Sequence, residues 1–523
     1  MNKFILVFSS MLVTAFHSLA QDLSSNANLA KKYCWQNYDW KADKVMGASV
    51  NKTYTELISN RKAKKNIVVS IITVGVDIKH PELTGKIWVN KNEIPGNNID
   101  DDNNGYVDDI NGWNFLGNAK GENIEYENYE FTRICKLGES DPNYSTAQKL
   151  YDKELEKRRK ERDFLKEVAV KFLNSLDVVK EKTGKDIKKL EDLTGISTED
   201  NALLGAIYYL RKMYLRGFSE SELLRLTENN EISFEKYLNK DFNPRVIIGD
   251  NVNDINDSHY GNPDVIGPNY VSGTSAAVII AGIRDNELGI DGIATDVRIM
   301  PIRAVPKGDE RDKDIALAIR YAVNNGADVI CMSFRKKISP QKKFIDDALK
   351  YAEQKNVLIV RSAGDEAENL DHQVYYPNGI YSDMSKATNF ICVGASRKNK
   401  DDTLVYIYSN YGRNNVDIFA PGSAIYSADL NNEYRSHSGS GPAAHVVTGI
   451  AALLLSYHPE LKPSELIEIL LASSTDCKRR LVLKPSQNRL ESEMVKFESL
   501  CKSGGIINAY EALKMADARP IKN

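Results

Sequence analysis

The chain has 523 residues, enough for two or three domains or for one large domain with insertions. Its formal charge of −3 at pH 7 is nearly balanced, so no overall field favours a nucleic acid or an anionic membrane as a partner. No apolar segment after the N-terminus is long enough to span a bilayer, which argues against stable membrane insertion.

The N-terminus has the pattern of a cleavable signal peptide over residues 1–20. Lys3 precedes an apolar run, Phe4–Phe16, and small residues lead to a predicted cleavage before Gln21. No cysteine stands at that point, so we expect no lipoprotein anchor and predict a secreted or periplasmic protein. Residues 21–66 are polar and mixed, and form an N-terminal segment that is either a short pro-segment or a wrap around the domain.

The first strong strand pattern is the β-branched run Ile67–Val74, which predicts a strand buried on both faces of a parallel sheet. It opens the first part of a large domain, residues 67–118. In the acidic loop that follows, oxygen-bearing side chains have the spacing of a calcium-binding loop. The glutamate that closes an EF-hand loop is missing, so a Ca²⁺ site and an Asx-rich surface turn both remain open. The candidate ligands are Asp100, Asp102, Asn104 and Asp108.

Residues 119–255 are rich in charge and predict a helical insertion. One helix is expected over residues 148–178 and a second over 202–214. Four apolar residues spaced by four predict the buried face of the first helix. Nothing in the insertion indicates chemistry. The four residues are Phe164, Val168, Phe172 and Leu176.

Strands and helices alternate again in residues 256–515, the second part of the domain. This alternation predicts an α/β fold with a doubly wound, mainly parallel sheet, in which ligands bind at the carboxyl ends of the strands. Helices are expected at 275–284, 312–324 and 341–354, and strands at 297–305, 327–334, 357–364, 390–396 and 416–422.

A glycine-rich turn, Gly439–Gly441, leads into an apolar helix that continues to Leu455. Pro442 suits the first helical turn, and the small and aliphatic residues after it predict a helix enclosed by protein. Such a turn can present a nucleophile and stabilise an anion at the helix N-terminus.

The six cysteines are few for a chain of this length. Cys331 and Cys392 lie in buried-strand sequence and are expected to be packing thiols. Cys477 and Cys501 form the most plausible disulfide.

Four segments in this order resemble the subtilases, the subtilisin-like serine peptidases. They are GVDIKHPEL, SGTSAAVIIAGI, AGDEAEN and SGSGPAAHVVTGIAALL, and the resemblance covers about 67–117 and 270–471. The segment Gly96–Phe115 resembles in addition a secreted group of this family. The resemblance implies a subtilisin-like fold and a serine endopeptidase site with an Asp, His, Ser order along the chain.

The family's four catalytic positions nevertheless carry other residues here. The aspartate position is Thr73, the histidine position is Ser272, and the nucleophile position is Gly441. The oxyanion asparagine falls on Asp365. Glycine cannot form an acyl-enzyme, a serine hydroxyl is a poor base, and a carboxylate would oppose a growing oxyanion.

Other residues near these positions leave a non-standard site open. Ser440, Ser272 or Ser275 could pair with His445 in a rebuilt dyad, against the alternative that His445 is a tolerated structural residue. In the groove strand Ser333 fits the family pattern, whereas Arg335 replaces a glycine and would narrow or charge the groove.

The sequence therefore predicts a secreted subtilisin-fold pseudopeptidase that binds a peptide or protein partner. The alternatives are an active secreted serine endopeptidase with a non-standard site and a decaying gene product. No cofactor is implied beyond the Ca²⁺ site.

Overall fold

The computed structural model describes residues 34–520, so the predicted signal peptide lies outside the described residues. Its centre is a nine-stranded sheet in the order β10-β13-β7-β6-β5-β4-β1-β3-β2. All neighbouring strands in it run parallel except β10 and β13. The strands are β1 (Ile67–Thr73), β2 (Trp113–Asn114), β3 (Val297–Arg303), β4 (Val329–Met332), β5 (Leu358–Ser362), β6 (Phe390–Ser396), β7 (Ile418–Pro421), β8 (Ile425–Ala428), β9 (Tyr434–His437), β10 (Thr475–Asp476), β11 (Leu481–Leu483), β12 (Met494–Lys496) and β13 (Gly505–Ile506).

Helices cover both faces of the sheet, which confirms the doubly wound α/β prediction. The helices are α1 (Trp40–Asp43), α2 (Val50–Thr53), α3 (Glu130–Leu137), α4 (Tyr144–Thr183), α5 (Asn201–Leu215), α6 (Glu220–Ile232), α7 (Val271–Ala281), α8 (Asp312–Asn324), α9 (Lys342–Gln354), α10 (Ser440–Tyr457), α11 (Pro463–Ala472) and α12 (Ala509–Asp517).

Strand β1 shows how the core is divided between the two faces. Val69 and Ile71 pack with α7 and α10 on one face, and Ile72 packs with α8 and α9 on the other. A strand buried on both sides needs apolar residues without alternation, as its sequence has. The sequence expectation that no apolar segment after the N-terminus is long enough to span a bilayer is not met by α10. Within residues 34–520 it is the one helix of sufficient length and apolar composition, and 89% of it is buried inside the fold.

The helices α4, α5 and α6 of the insertion enclose a hydrophobic cluster of their own. The predicted buried face of α4 is wrong at one end, because Phe164 is 54% exposed while Leu165 is buried. Four residues advance a helix by about 400°, so a strict spacing of four drifts around the axis. The buried side chains follow the true helical period instead. They are Leu165, Val168, Phe172, Ser175 and Val179.

Two other sequence predictions differ from the structure. Helix α7 begins at Val271, four residues before the predicted start, which places Ser272 in its first turn. The Cys477–Cys501 disulfide is absent, because both residues are free thiols packed in an apolar cluster around Phe497. Cys331 and Cys392 are buried thiols, as expected for packing residues.

Candidate functional site

A cleft of about 470 Å³ opens where β4 and β5 end and α10 begins. It lies at the carboxyl edge of the parallel sheet, the usual ligand side of such a fold. Three of the four sequence-predicted catalytic positions line it, together with the predicted groove residue Ser333. The lining residues are Ser272, Ser275, Ser333, Ser362, Asp365, Arg435, Ser436, His437, Ser438, Gly441, Pro442 and His445.

Gly441 lies in the first turn of α10, with its Cα facing the cleft. A Cβ added at Gly441 would meet nothing closer than the Cβ of Ser333, at 3.8 Å. Gly439 differs, because its φ is +138° and a Cβ there would lie 2.7 Å from Asp365. The turn therefore requires glycine at 439, whereas space alone would permit a serine at 441.

Asp365 caps the N-terminus of α10. Its Oδ1 accepts a hydrogen bond from the Ser440 backbone N–H at 2.8 Å, and its Oδ2 accepts one from the Ser440 hydroxyl at 3.2 Å. Burial raises the pKa of Asp365, against the opposing effect of the Ser440 N–H. An acidic group from another loop thus takes the place of a cap supplied by the helix itself.

The same contacts fix Ser440. Its hydroxyl also accepts a hydrogen bond from the Gly364 N–H at 2.8 Å, and its side chain is fully buried. A hydroxyl held on both sides and removed from the cleft is a poor nucleophile.

Thr73 ends β1 and is the one catalytic position outside the cleft lining. Its methyl group lies beside Gly273, where an added Cβ would be 2.8 Å from it. Ser272, the next residue back along α7, is exposed to the cleft. Thr73 therefore adjoins the helix turn that carries Ser272.

His445 lies in the cleft wall and is only 4% exposed. Neither ring nitrogen has a hydrogen-bond partner among residues 34–520, so no serine is paired with it in the described structure. Burial, and secondarily His437, lowers the pKa of His445 to about 3. A neutral imidazole with so low a pKa is a weak base.

Arg335 lies beside the cleft, and a neighbouring carboxylate balances its charge. Its guanidinium forms an ion pair with Glu366 and lies 5.9 Å from the ring centroid of Tyr375. Asn410 holds the other side of Glu366, at 2.7 Å from Oε2. Arg335 and Glu366 thus form a charge-balanced pair, and Arg335 stands where the family pattern has a small residue.

Two of the predicted carboxylate ligands of the acidic loop lie together, and the side-chain amide of Asn104 donates to Asp109 at 3.1 Å. Oxygens of Asp100, Asp102 and Glu93 lie within 4.8 Å of one another. Asp108 instead accepts hydrogen bonds from the backbone N–H groups of Gly96 and Asn98. Glu93 and Asp100 also accept hydrogen bonds from backbone amides of the same loop. Such bonds are typical of an Asx-rich turn, so a Ca²⁺ site and a turn both stay predictions.

Several residues at these two sites could not be assigned to them from the sequence. Glu93 precedes the acidic loop and reaches it only through the folded turn. Arg435 and His437 come from the hairpin of β8 and β9, which folds over the cleft. A charged or polar residue in a short hairpin gives no indication of which cleft it will line.

Comparison with known proteins finds a matching family model and several similar proteins. A model of the Subtilase family matches residues 64–491. Halolysin of Haloferax mediterranei is 34% identical over 215 residues, 41% of this chain and 38% of halolysin. Subtilisin DY of Bacillus licheniformis is 30% identical over 211 residues, 40% of this chain and 69% of that protein. The thermophilic serine proteinase of Bacillus sp. is 36% identical over 187 residues, 35% of this chain.

The chain spans about two fifths of the length of halolysin and of the thermophilic proteinase. Among solved structures, the prenylagaramide maturation protease PagA matches with a TM-score of 0.38 and 25% identity, over 47% of this chain and 82% of that one. The subtilase cytotoxin SubAB assembly matches with a TM-score of 0.40 and 23% identity, over 49% and 80%.

Proposed function

Because the chain belongs to the subtilase family, we propose that it is an exported member that binds a peptide or protein in the cleft and does not cleave it. Export depends on residues 1–20, whose sequence is that of a signal peptide.

One observation carries the proposal of inactivity. The residues that the sequence assigns to the nucleophile and oxyanion positions are Gly441 and Asp365, and both line the cleft, the first without a side chain and the second with a carboxylate. In subtilisin, a member of this family, loss of the nucleophile or the base lowers kcat by about 10⁶-fold, and loss of the oxyanion donor by roughly 10²–10³-fold. With a carboxylate in place of that donor, the residual catalysis of an oxyanion hole is lost as well.

The binding half of the proposal rests on the cleft itself. It keeps about 470 Å³ of open space at the carboxyl edge of the sheet, and several serine side chains supply hydrogen-bonding groups along it. A cleft of this size lies in the range of sites that hold a short peptide side chain or turn.

The test uses the mature chain with casein and with a randomised peptide library, analysed by mass spectrometry for new termini. We expect none, while subtilisin DY at the same concentration should digest both. New termini that disappear in a variant of any cleft serine would contradict the proposal.

An active enzyme with a non-standard site is the second candidate. The observation in its favour is that Ser272 and Ser275 line the same cleft as the unpartnered His445. A serine-directed fluorophosphonate should then label one of the two serines, and labelling should stop after His445→Leu. If no label is found by peptide mapping, this candidate is removed.

Calcium binding is proposed for the loop that holds Glu93, Asp100 and Asp102. Carboxylate oxygens in close proximity suit Ca²⁺, and a bound ion would stabilise the folded chain. We expect Ca²⁺ to raise the Tm and a chelator to lower it, and Glu93→Gln to reduce the difference. An unchanged Tm would favour the Asx-rich turn.

A further inference from the structure

Asp365 is the carboxylate of the cleft whose charge no ion pair balances. Among the described residues that line the cleft, Arg435 is the only Lys or Arg, and its Nε is paired with Asp429 at 2.7 Å. Within residues 34–520, the side chain of Asp365 accepts hydrogen bonds from two neutral donors, the backbone N–H and the hydroxyl of Ser440. Because Asp429 balances Arg435, Asp365 is left as a carboxylate without an ion-pair partner close to the start of α10.

The cation nearest to this carboxylate does not neutralise it. Burial raises the pKa of Asp365 and the positive charge of Arg335 opposes this rise by electrostatic attraction, but the Arg335 guanidinium forms its ion pair with Glu366. Asn410 also donates a hydrogen bond to Glu366. Both members of that pair are partly buried, and Glu366 accepts hydrogen bonds from both Nε and Nη2 of Arg335. Asp365 is thus left with unused acceptor capacity on the cleft side.

Two further polar groups in the wall are unsatisfied. The ring nitrogens of His445 and the hydroxyl of Ser362 are enclosed and have no hydrogen-bond partner among residues 34–520. Both side chains belong to the cleft lining. Buried polar atoms normally find partners, so unsatisfied ones at a cleft indicate a polar rather than an apolar occupant.

Building on the peptide binding proposed above, we propose that the cleft recognises a primary ammonium group of a peptide, either its N-terminus or a lysine side chain, and that Asp365 is the specificity-determining residue. An ammonium is a compact cation with three donors, and it matches a carboxylate that has free acceptor sites and no ion-pair partner. The unused hydrogen-bonding groups of His445 and Ser362 belong to the same lining and favour a polar ligand. A carboxylate in the same place would face like charge, and a carbonyl oxygen would turn its lone pairs towards those of Asp365.

The test compares three randomised heptapeptide libraries, all amidated at the C-terminus, for recovery by the immobilised mature chain. The first has a free N-terminus and no lysine or arginine, the second is N-acetylated with one lysine, and the third is N-acetylated without basic residues. We expect recovery of the first or the second to exceed that of the third by about tenfold. Whichever is recovered identifies the source of the ammonium.

Asp365→Asn tests the assigned residue. The amide oxygen can still accept the hydrogen bond from the Ser440 N–H, so the variant should fold while the charge is removed. For this variant we expect the recovery of the ammonium-bearing library to exceed that of the third library by less than about twofold. Asp401→Asn is the matched control, since Asp401 is exposed outside the cleft and its carboxylate bonds nearby loop residues, Thr403 and Asn399.

Three outcomes would overturn the proposal. Equal recovery of the three libraries by the wild type would do so whatever the variant does. A preference that persists in Asp365→Asn would also contradict it. Recovery of none of the libraries would overturn peptide binding as well. Failure of the ammonium proposal alone is therefore distinguishable from failure of the proposed function.

Discussion

The carboxylate of Asp365 accepts both the backbone N–H and the hydroxyl of Ser440, 75 residues further along the chain. Through these bonds the loop after β5 is fastened to the N-terminus of α10, the most deeply buried helix of the fold. The residue that makes an oxyanion hole unfavourable is at the same time the cap of the central helix.

The cap predicts a stability difference between two substitutions at one position. Asp365→Ala removes both hydrogen bonds and should lower the free energy of unfolding by about 1–2 kcal/mol. Asp365→Asn keeps an acceptor and should cost less. Urea unfolding at neutral pH measures both, and an alanine variant as stable as the asparagine variant would show that the cap contributes nothing.

A serine should fit at the nucleophile position. Gly441→Ser adds a Cβ that meets only Ser333 at 3.8 Å, and it improves the helix propensity by roughly 0.5 kcal/mol. Gly273→Ser is the control, because its Cβ would lie 2.0 Å from the Gly75 carbonyl oxygen and should destabilise severely. The two Tm values test this, and equal losses would show that the cleft has no room at 441.

Restoring the chemistry requires all four changes together. Gly441→Ser alone should give no hydrolysis, because no base is present. The combination Thr73→Asp, Ser272→His, Asp365→Asn and Gly441→Ser should give measurable cleavage of a peptide library if only side chains are missing. The triple variants that lack the new serine or the new histidine should stay near background, whereas the one that keeps Asp365 should lose roughly 10²–10³-fold or more in activity. Absence of cleavage in the folded quadruple variant would show that the backbone has also changed.

The insertion is fastened to the domain by a buried ion cluster. Arg245 donates two hydrogen bonds to Asp314 at 2.7 Å and is also paired with Asp250. Arg245→Met leaves both carboxylates without this partner and should cost about 3–5 kcal/mol.

The matched control for this prediction is Arg225→Met. Arg225 pairs with Glu222 on an exposed helix surface, so the change should cost no more than about 1 kcal/mol. Unfolding in urea distinguishes the two variants. Similar losses would mean that the buried cluster adds no more than a surface pair.

His445 predicts a loss of stability in acid. Its pKa is about 3 in the folded chain against an ordinary 6.5, so the unfolded chain binds the proton more readily between these values. Stability contributed by the neutral histidine is therefore present above about pH 6.5 and is lost as the pH falls towards 3. Between pH 6.5 and 5 the loss should be on the order of 2 kcal/mol.

His445→Leu should reduce this acid-dependent loss relative to wild type, measured as the difference between urea unfolding at the two pH values. His372→Leu removes an exposed histidine and should behave as the wild type does. His437 and Asp365 titrate in both proteins and cancel in the comparison. The same pH dependence in His445→Leu and wild type would contradict the prediction.

Much of the fold follows from local patterns. The strand at Phe390–Ser396 and the helix at Asp312–Asn324 lie where the sequence predicts them, because runs of β-branched residues and a 3.6-residue period are properties of neighbouring residues. The helix at Val271 begins earlier than predicted, since the small residues of its first turn carry a weak local preference and packing against β1 decides the boundary.

The sequence by itself determined the prediction that Thr73, Ser272, Gly441 and Asp365 correspond to the family's four catalytic positions, because that prediction rests on local motifs. Only the tertiary structure decided what their side chains do. It paired Asp365 with Ser440, enclosed His445 without a partner, and brought Arg435 over the cleft. Each of these contacts joins segments that are far apart along the chain, and such contacts depend on how the sheet and its helices pack, which no local pattern encodes.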